Sequence, residues 1–201
     1  MSSWEPVGGG VCAPRGFLAG AAAMGIKNPA VKRLDCALIF SECPASVAGV
    51  FTTNRFKAAP VLWDQGVCVR GAARAVFANS GNANACTGER GILDAQETAA
   101  RVADRMSIPV TEVCVASTGV IGVPLPMDRI LAGVDACAAA LSASGSGDAA
   151  RAIMTTDTVP KEFAAEISLG GKTVRIGAIA KGAGMIAPNM ATMLCFITTD
   201  A

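Results

Sequence analysis

Apolar and polar positions along the 201-residue chain follow two different rhythms. Short, nearly continuous apolar runs at 35–41, 47–53, 75–79, 112–117 and 174–180 read as strands. Elsewhere the apolar positions step by three and four. Ile92, Ala95, Ala99, Val102 and Met106 mark one face of a helix over 91–106. Ile130, Val134, Cys137 and Leu141 mark a second, with Pro126 just ahead of it. The S-A-S-G-S-G stretch at 142–147 is a loop by composition, short enough to be a connection within one domain. A last apolar run, 193–197, follows Thr192 and predicts a buried strand. Strands interleaved with helices predict a layered α/β domain of mixed sheet and helices, without internal repeats.

Composition narrows the functions such a domain can have. Seventeen Lys and Arg stand against sixteen Asp and Glu, a net charge of +1, so no field favours nucleic acid or an anionic membrane. Tyrosine is absent and aromatics are few, which argues against a base-stacking surface. The longest membrane candidate, 16–26, is far too short for a span and is interrupted by Gly16, Gly20 and Gly25. No basic patch leads an apolar core at the N-terminus, so no secretory signal is expected and the cytoplasm is the expected compartment. Eight cysteines, none in a C-x-x-C pair and most within apolar runs, predict buried free thiols instead of disulfides or a metal site. Histidine is absent altogether. That removes the usual general base and every Ser-His or Cys-His nucleophile, so acyl-transfer chemistry here needs another base.

Four polar, glycine-containing segments interrupt the apolar pattern. N-S-G-N-A-N-A-C-T-G (79–88) follows a strand and reads first as an elaborate turn, since Asn and Gly tolerate left-handed backbone. It lacks the G-K-[ST] or G-x-G-x-x-G of a phosphate cradle. A-S-T-G-V-I-G (116–122) places the Thr118 hydroxyl beside the Gly119 amide, two donors that suit a developing oxyanion or else a plain Thr-Gly turn. M-T-T-D-T-V-P-K (154–161) is either a helix end broken at Pro160 or a set of polar groups for an amino-acid-like ligand. The fourth, from Lys181 onward, runs K-G-A-G-M-I-A-P-N-M-A-T-M-L. A small residue, Ala191, precedes Thr192 and a buried strand follows it. Cleavage before Thr192 frees an α-amine with an ordinary pKa of about 7.7–8.0, a base for the neighbouring hydroxyl that needs no histidine. With the other three segments present, this nucleophile reading outweighs a loop entering an edge strand.

Together these segments resemble the ornithine acetyltransferase (glutamate N-acetyltransferase, ArgJ) family. The resemblance also takes in Phe51-Thr-Thr-Asn54, K-A-A-P-V-L-W at 57–63 and P-M-D at 126–128, and covers the chain from about Gly16 onward. It implies a layered fold related to the N-terminal-nucleophile hydrolases (the DmpA/ArgJ type). It also implies a precursor that cuts itself between Ala191 and Thr192 into α and β chains, here 1–191 and 192–201. Carried over by position, Thr192 is the nucleophile, Thr118 and Gly119 form the oxyanion hole, and Thr155, Lys181 and Thr192 contact substrate. The implied reaction is ping-pong: N2-acetylornithine acetylates Thr192, and glutamate takes the acetyl group. No cofactor or metal is expected, although some members also accept acetyl-CoA as donor. The implied partner is the β chain of the same precursor in an α2β2 assembly. That chain is far longer in the family and supplies further substrate contacts, so the present chain is expected to be incomplete alone. Two other outcomes stay open: a self-cleaving aminopeptidase or amidase of related fold, with water as acceptor, and an inactive α-type subunit that binds a partner chain.

Overall fold

The central strand of the molecule is buried along its whole length. It is β3 (Cys36–Ser41), flanked by β2 (Phe17–Ala22) and β4 (Ala75–Asn82), and every residue in it is shielded from solvent. A strand covered on both faces has to read as a continuous apolar run, and C-A-L-I-F-S does. The computed structural model describes residues 4–184 and 193–201.

β2, β3 and β4 pair antiparallel, and β4 pairs parallel with β5 (Val113–Val120), giving one sheet in the order β2-β3-β4-β5. Its two faces carry different side chains. One face presents Cys36, Leu38, Phe40, Phe77, Val113 and Val115 to helices α1 (Ala59–Arg70), α2 (Gly88–Met106) and α3 (Met127–Ala139). The other presents Ala19, Ala37, Ile39, Ala78 and Ala116 to a short helix, α4 (Ser146–Ala152), with Val11, Ile153 and Ile179. A second, antiparallel sheet, β1 (Trp4–Val7), β6 (Lys161–Leu169), β7 (Lys172–Lys181) and β8 (Leu194–Thr199), closes over α4 in the order β1-β6-β7-β8. Alanines dominate the face toward α4, and Ala149, Ala150 and Ala152 of α4 are fully buried. Small side chains on both partners let the helix lie close between two sheets. That is the use of the alanine-rich composition.

Most of the predicted elements are present, with shifted ends. The 91–106 helix begins at Gly88, and the helix predicted after Pro126 runs Met127–Ala139 with Pro126 as its N-cap residue. Ile92 departs from the predicted stripe and is exposed, while Asp94 and Thr98 are buried with Ala95, Ala99 and Val102. The 47–53 strand does not form. Val47 donates to the Gly71 carbonyl, but beyond it the amides of Asn54 and Phe56 are taken by the side chains of Thr52 and Asn54, so the segment turns instead of extending. The glycine-rich loop at 142–147 gives way to helix α4 from Ser146. All eight cysteines are free, yet only Cys36, Cys114 and Cys137 are buried. Cys43 and Cys86 lie in loops and Cys195 on the edge strand β8, and all three are exposed. Among the described residues no helix is long and apolar enough to cross a membrane.

Strand β5 is the outer edge of its sheet, and α1 blunts it. The Trp63 indole N–H donates to the Val113 carbonyl at 2.8 Å, and the Asp64 carboxylate accepts from the Val115 N–H at 2.9 Å. Two consecutive side chains of one helix thus fill the places a neighbouring strand would fill. Burial pushes the Asp64 carboxyl up to about 7, against the Val115 hydrogen bond, which lowers it. The folded state therefore holds this proton more tightly than the unfolded chain. The carboxyl's favourable contribution is complete below about pH 4 and is lost as pH rises toward 7. Asp64→Asn keeps an acceptor for Val115 without the charge. It is expected to raise unfolding free energy by about 2–4 kcal/mol at pH 8, a gain that fades toward pH 4. Urea unfolding of both proteins at the two pH values checks this; an equal effect at both, or a loss at pH 8, contradicts it.

Candidate active site

The parallel pair β4–β5 ends in the two segments singled out by composition. Ser80 pairs with Thr118 and Gly81 with Gly119, and a bulge at Asn82 ends the ladder. The C-terminal end of parallel strands is where loops and ligand sites gather in such sheets.

The asparagine-rich segment is a brace. Asn79 donates to the Asn82 carbonyl at 2.9 Å and accepts from the Ser117 hydroxyl at 2.7 Å. Asn82 donates to the carbonyls of Val123 and Pro124 and accepts from the Asn84 amide. Asn84, at a positive φ of 46°, donates to the Gly91 carbonyl and accepts from Thr87. Ser80 donates to the Ala152 carbonyl at the end of α4. These side chains satisfy one another and the backbone around them. The turn reading of 79–88 accounts for them, and their effect is to fix the strand end beside Thr118.

Gly119 has φ of +137°, and a Cβ there would overlap the Gly81 carbonyl carbon and the Asn82 nitrogen. Only glycine fits. Thr118, one residue before, is 5% exposed, and its hydroxyl oxygen accepts from Lys181 Nζ at 3.0 Å. Lys181 is the last residue of β7, in the other sheet, and is 2% exposed. Burial pushes its ammonium down from the ordinary lysine value, the Asp157 charge pushes it up, and the Lys161 charge pushes it down. The pair Thr118–Lys181 thus spans both sheets at one end of the molecule.

Thr155 lies half-buried just after α4, with its amide 3.5 Å from Asp157 Oδ2. The preceding Met154 carbonyl accepts from Arg33 at 3.0 Å. Asp157 also accepts from the Gly182 amide at 2.8 Å and from Lys161 Nζ at 2.5 Å. The structure therefore brings Thr118, Gly119 and Lys181 together and ties the Thr155 segment to them through Gly182. Ala191 and Thr192 lie outside the described residues. Chain order still relates them to the site: Leu194, two residues after Thr192, is the β8 partner of Lys181. Sequence reasoning took in Asp157 only as the acid of a segment that could bind a ligand, and it passed over Ser80. Both sit inside quoted segments, but nothing in a linear pattern tells a ligand group from a brace. Among the described residues no cluster of His, Cys, Asp or Glu could hold a metal ion.

Comparison with known proteins gives a consistent result. The ArgJ family model matches residues 18–201. The bifunctional arginine-biosynthesis protein ArgJ of Symbiobacterium thermophilum is 58% identical over 197 residues, covering 98% of this chain and 49% of that protein. Its namesake in Geobacter sulfurreducens is 55% identical over 187 residues, 93% of this chain and 47% of the relative. The chain thus spans about half the length of the curated relatives it matches. Among solved structures, ArgJ of Bacillus halodurans superposes with a TM-score of 0.85 at 40% identity, over 96% of this chain and 100% of the other. Ornithine acetyltransferase of Mycobacterium tuberculosis, solved with ornithine, gives a TM-score of 0.84 at 45% identity, over 93% and 99%. The site thus sits in a layered mixed α/β fold that those structures share, and on these grounds the chain belongs to the ArgJ family.

Proposed function

We propose that this chain carries the oxyanion-binding half of an ornithine acetyltransferase that works through an acetyl-Thr192 intermediate. The observation that supports this most is the Lys181–Thr118 hydrogen bond beside a glycine whose backbone excludes any side chain. With the ammonium donating to one lone pair of Thr118 Oγ1, the hydroxyl hydrogen is left to point elsewhere. A hydroxyl and the Gly119 amide aimed at one spot suit the negative oxygen of a tetrahedral intermediate.

The reaction then runs as follows. Thr192 Oγ attacks the acetyl carbonyl of N2-acetylornithine while the free α-amine of Thr192 takes its proton. The carbonyl oxygen becomes an oxyanion held by Thr118 and Gly119. Collapse breaks the C–N bond, the α-ammonium returns the proton to the departing ornithine amine, and acetyl-Thr192 remains. The amine of glutamate attacks the ester in turn and gives its proton to the α-amine; the ester C–O bond then breaks, that proton passes to Thr192 Oγ, and N-acetylglutamate leaves. No metal or cofactor enters these steps, and acetyl-CoA is the alternative acetyl donor. Thr155 and Lys181 contact substrate; an ammonium has three hydrogens, so Lys181 can serve Thr118 and a substrate carboxylate together. The Thr192 amine arises by cleavage after Ala191.

The remaining substrate contacts belong to the polypeptide that the longer relatives have in addition, which we place as the β chain of an α2β2 assembly. The outer face of the β1-β6-β7-β8 sheet supports a further layer there: Trp4, Phe163, Ile176 and Ile197 are all exposed on it, and Trp4 packs edge-on against Phe163. Grouped apolar exposure of this kind marks a surface that another layer covers.

Substitutions in the full-length protein test the scheme. Thr118→Ala is expected to lower kcat for acetyl transfer from N2-acetylornithine to glutamate by about 10²–10³, with KM little changed. A raised KM at normal kcat moves Thr118 from catalysis to binding. Gly119→Ala is expected to abolish transfer by displacing Gly81 and Asn82 at the end of β4, and wild-type rates in that variant contradict the assignment. Thr192→Ala removes the attacking oxygen, so cleavage and transfer are expected to fail together; turnover in that variant rules out the acetyl-Thr192 scheme.

A further inference from the structure

Two residues of the T-T-D element touch the K-G-A-G segment, and the first closes on the third. Thr155 closes on Asp157 through its amide. Thr156 lies so close to Gly184 that a Cβ on that glycine would overlap its hydroxyl. Asp157, whose side chain is 3% exposed, accepts from the Gly182 amide and from Lys161 Nζ through the same oxygen. Lys161 begins β6 and pairs with Ala180, next to Lys181 in β7. The carboxylate therefore sits at the end of two neighbouring strands, between one exposed lysine and one buried lysine.

We propose that Asp157 is a positioning residue for the Thr118–Lys181 pair, fixing the backbone just after Lys181 through the Gly182 amide and setting a negative charge at that strand end. Its consequence for acetyl transfer rests on the reading of Thr118 as an oxyanion donor. Burial works against the carboxylate, yet Lys161 and the amides of Gly182 and Thr155 hold Asp157 down at about 2, so it is ionised throughout the working range. Burial and the Lys161 charge both favour a neutral Lys181 amine, and Asp157 opposes them. A further cation near this strand end, Arg33, donates to the Met154 carbonyl and the Ser80 hydroxyl. Glu162, beside Lys161, lies against Gly10 and Gly147. Glu166 pairs with Arg175, and Asp148 of α4 pairs with Arg151. The Cys195 thiol is on the β8 residue opposite Ala180, whose neighbour in the strand is Lys181. A neutral amine can accept as well as donate. It would let the Thr118 hydroxyl turn its hydrogen toward Lys181 and away from the oxyanion.

Asp157→Asn in the full-length protein separates charge from shape, since the amide oxygen still accepts from Gly182. In protein labelled with [13Cε]lysine, the NMR titration midpoint of Lys181 is expected to fall by about one pH unit or more in this variant. The alkaline limb of kcat/KM for acetyl transfer is expected to move down with it, whereas a purely structural role leaves the limb in place. Lys161→Met, at an exposed position, removes the opposing cation and is expected to shift the Lys181 midpoint upward. It gives a reading of opposite sign even if Asp157→Asn does not fold. Unmoved midpoints in the variants that fold, or a downward shift in Lys161→Met, overturn the proposal. The NMR midpoints need no substrate, so a wild-type protein without acetyl transfer refutes the functional reading alone.

Discussion

The hydrogen bond from Lys181 to Thr118 is the contact on which the rest of the site depends. It joins the last residue of β7 in one sheet to the end of β5 in the other, 63 positions apart in sequence. A lysine this deeply buried is costly unless its charge is compensated and hydrogen-bonded. The fold supplies both: Thr118 takes a donor, and Asp157 sets a negative charge at the adjacent backbone. The compensation works only if the two sheets meet at a fixed spacing, which is why the packing between them matters for chemistry.

That spacing comes from small residues. Ala19, Ala37, Ala78 and Ala116 on one sheet face the alanines of α4, while larger side chains are kept for the opposite face against α1, α2 and α3. Ser80, hydrogen-bonded to the end of α4, and Asn79, hydrogen-bonded to Ser117, transmit the packed position of the helix to the strand end that carries Thr118. On the far edge of β5, Trp63 and Asp64 hold the strand's outward carbonyl and amide. The Thr118–Gly119 end of β5 is thus restrained from three sides, by β4, by α1 and by Lys181. A preorganised donor pair is useful to a transition state because little reorganisation remains to be done when charge develops.

Central strands and amphipathic helices were legible because burial on one or both faces imposes a periodic pattern. β3 and α2 show this most clearly. β2 was not legible: F-L-A-G-A-A is small and glycine-broken, and its strand state comes from pairing with β3 and lying over α3 and α4. β6 carries Lys161, Glu162 and Glu166 in its run and likewise takes its form from its neighbours. The 47–53 run has strand-like residues but no strand beside it. At the site, Thr118, Gly119, Lys181 and Thr155 were readable as motif residues. The role of Asp157 was not, because it comes from a hydrogen bond to a backbone amide 25 residues further along.

In the proposed scheme, the site around Thr118 and Lys181 serves an acetyl group carried by Thr192. Incubating the full-length protein with N2-acetylornithine in the absence of glutamate, followed by digestion and mass spectrometry, tests it directly. The expected product is an acetyl group on the peptide that begins at Thr192, discharged when glutamate is added. An acetyl group on Lys181 or on a cysteine instead, or an unmodified Thr192 in a protein that turns over, contradicts it.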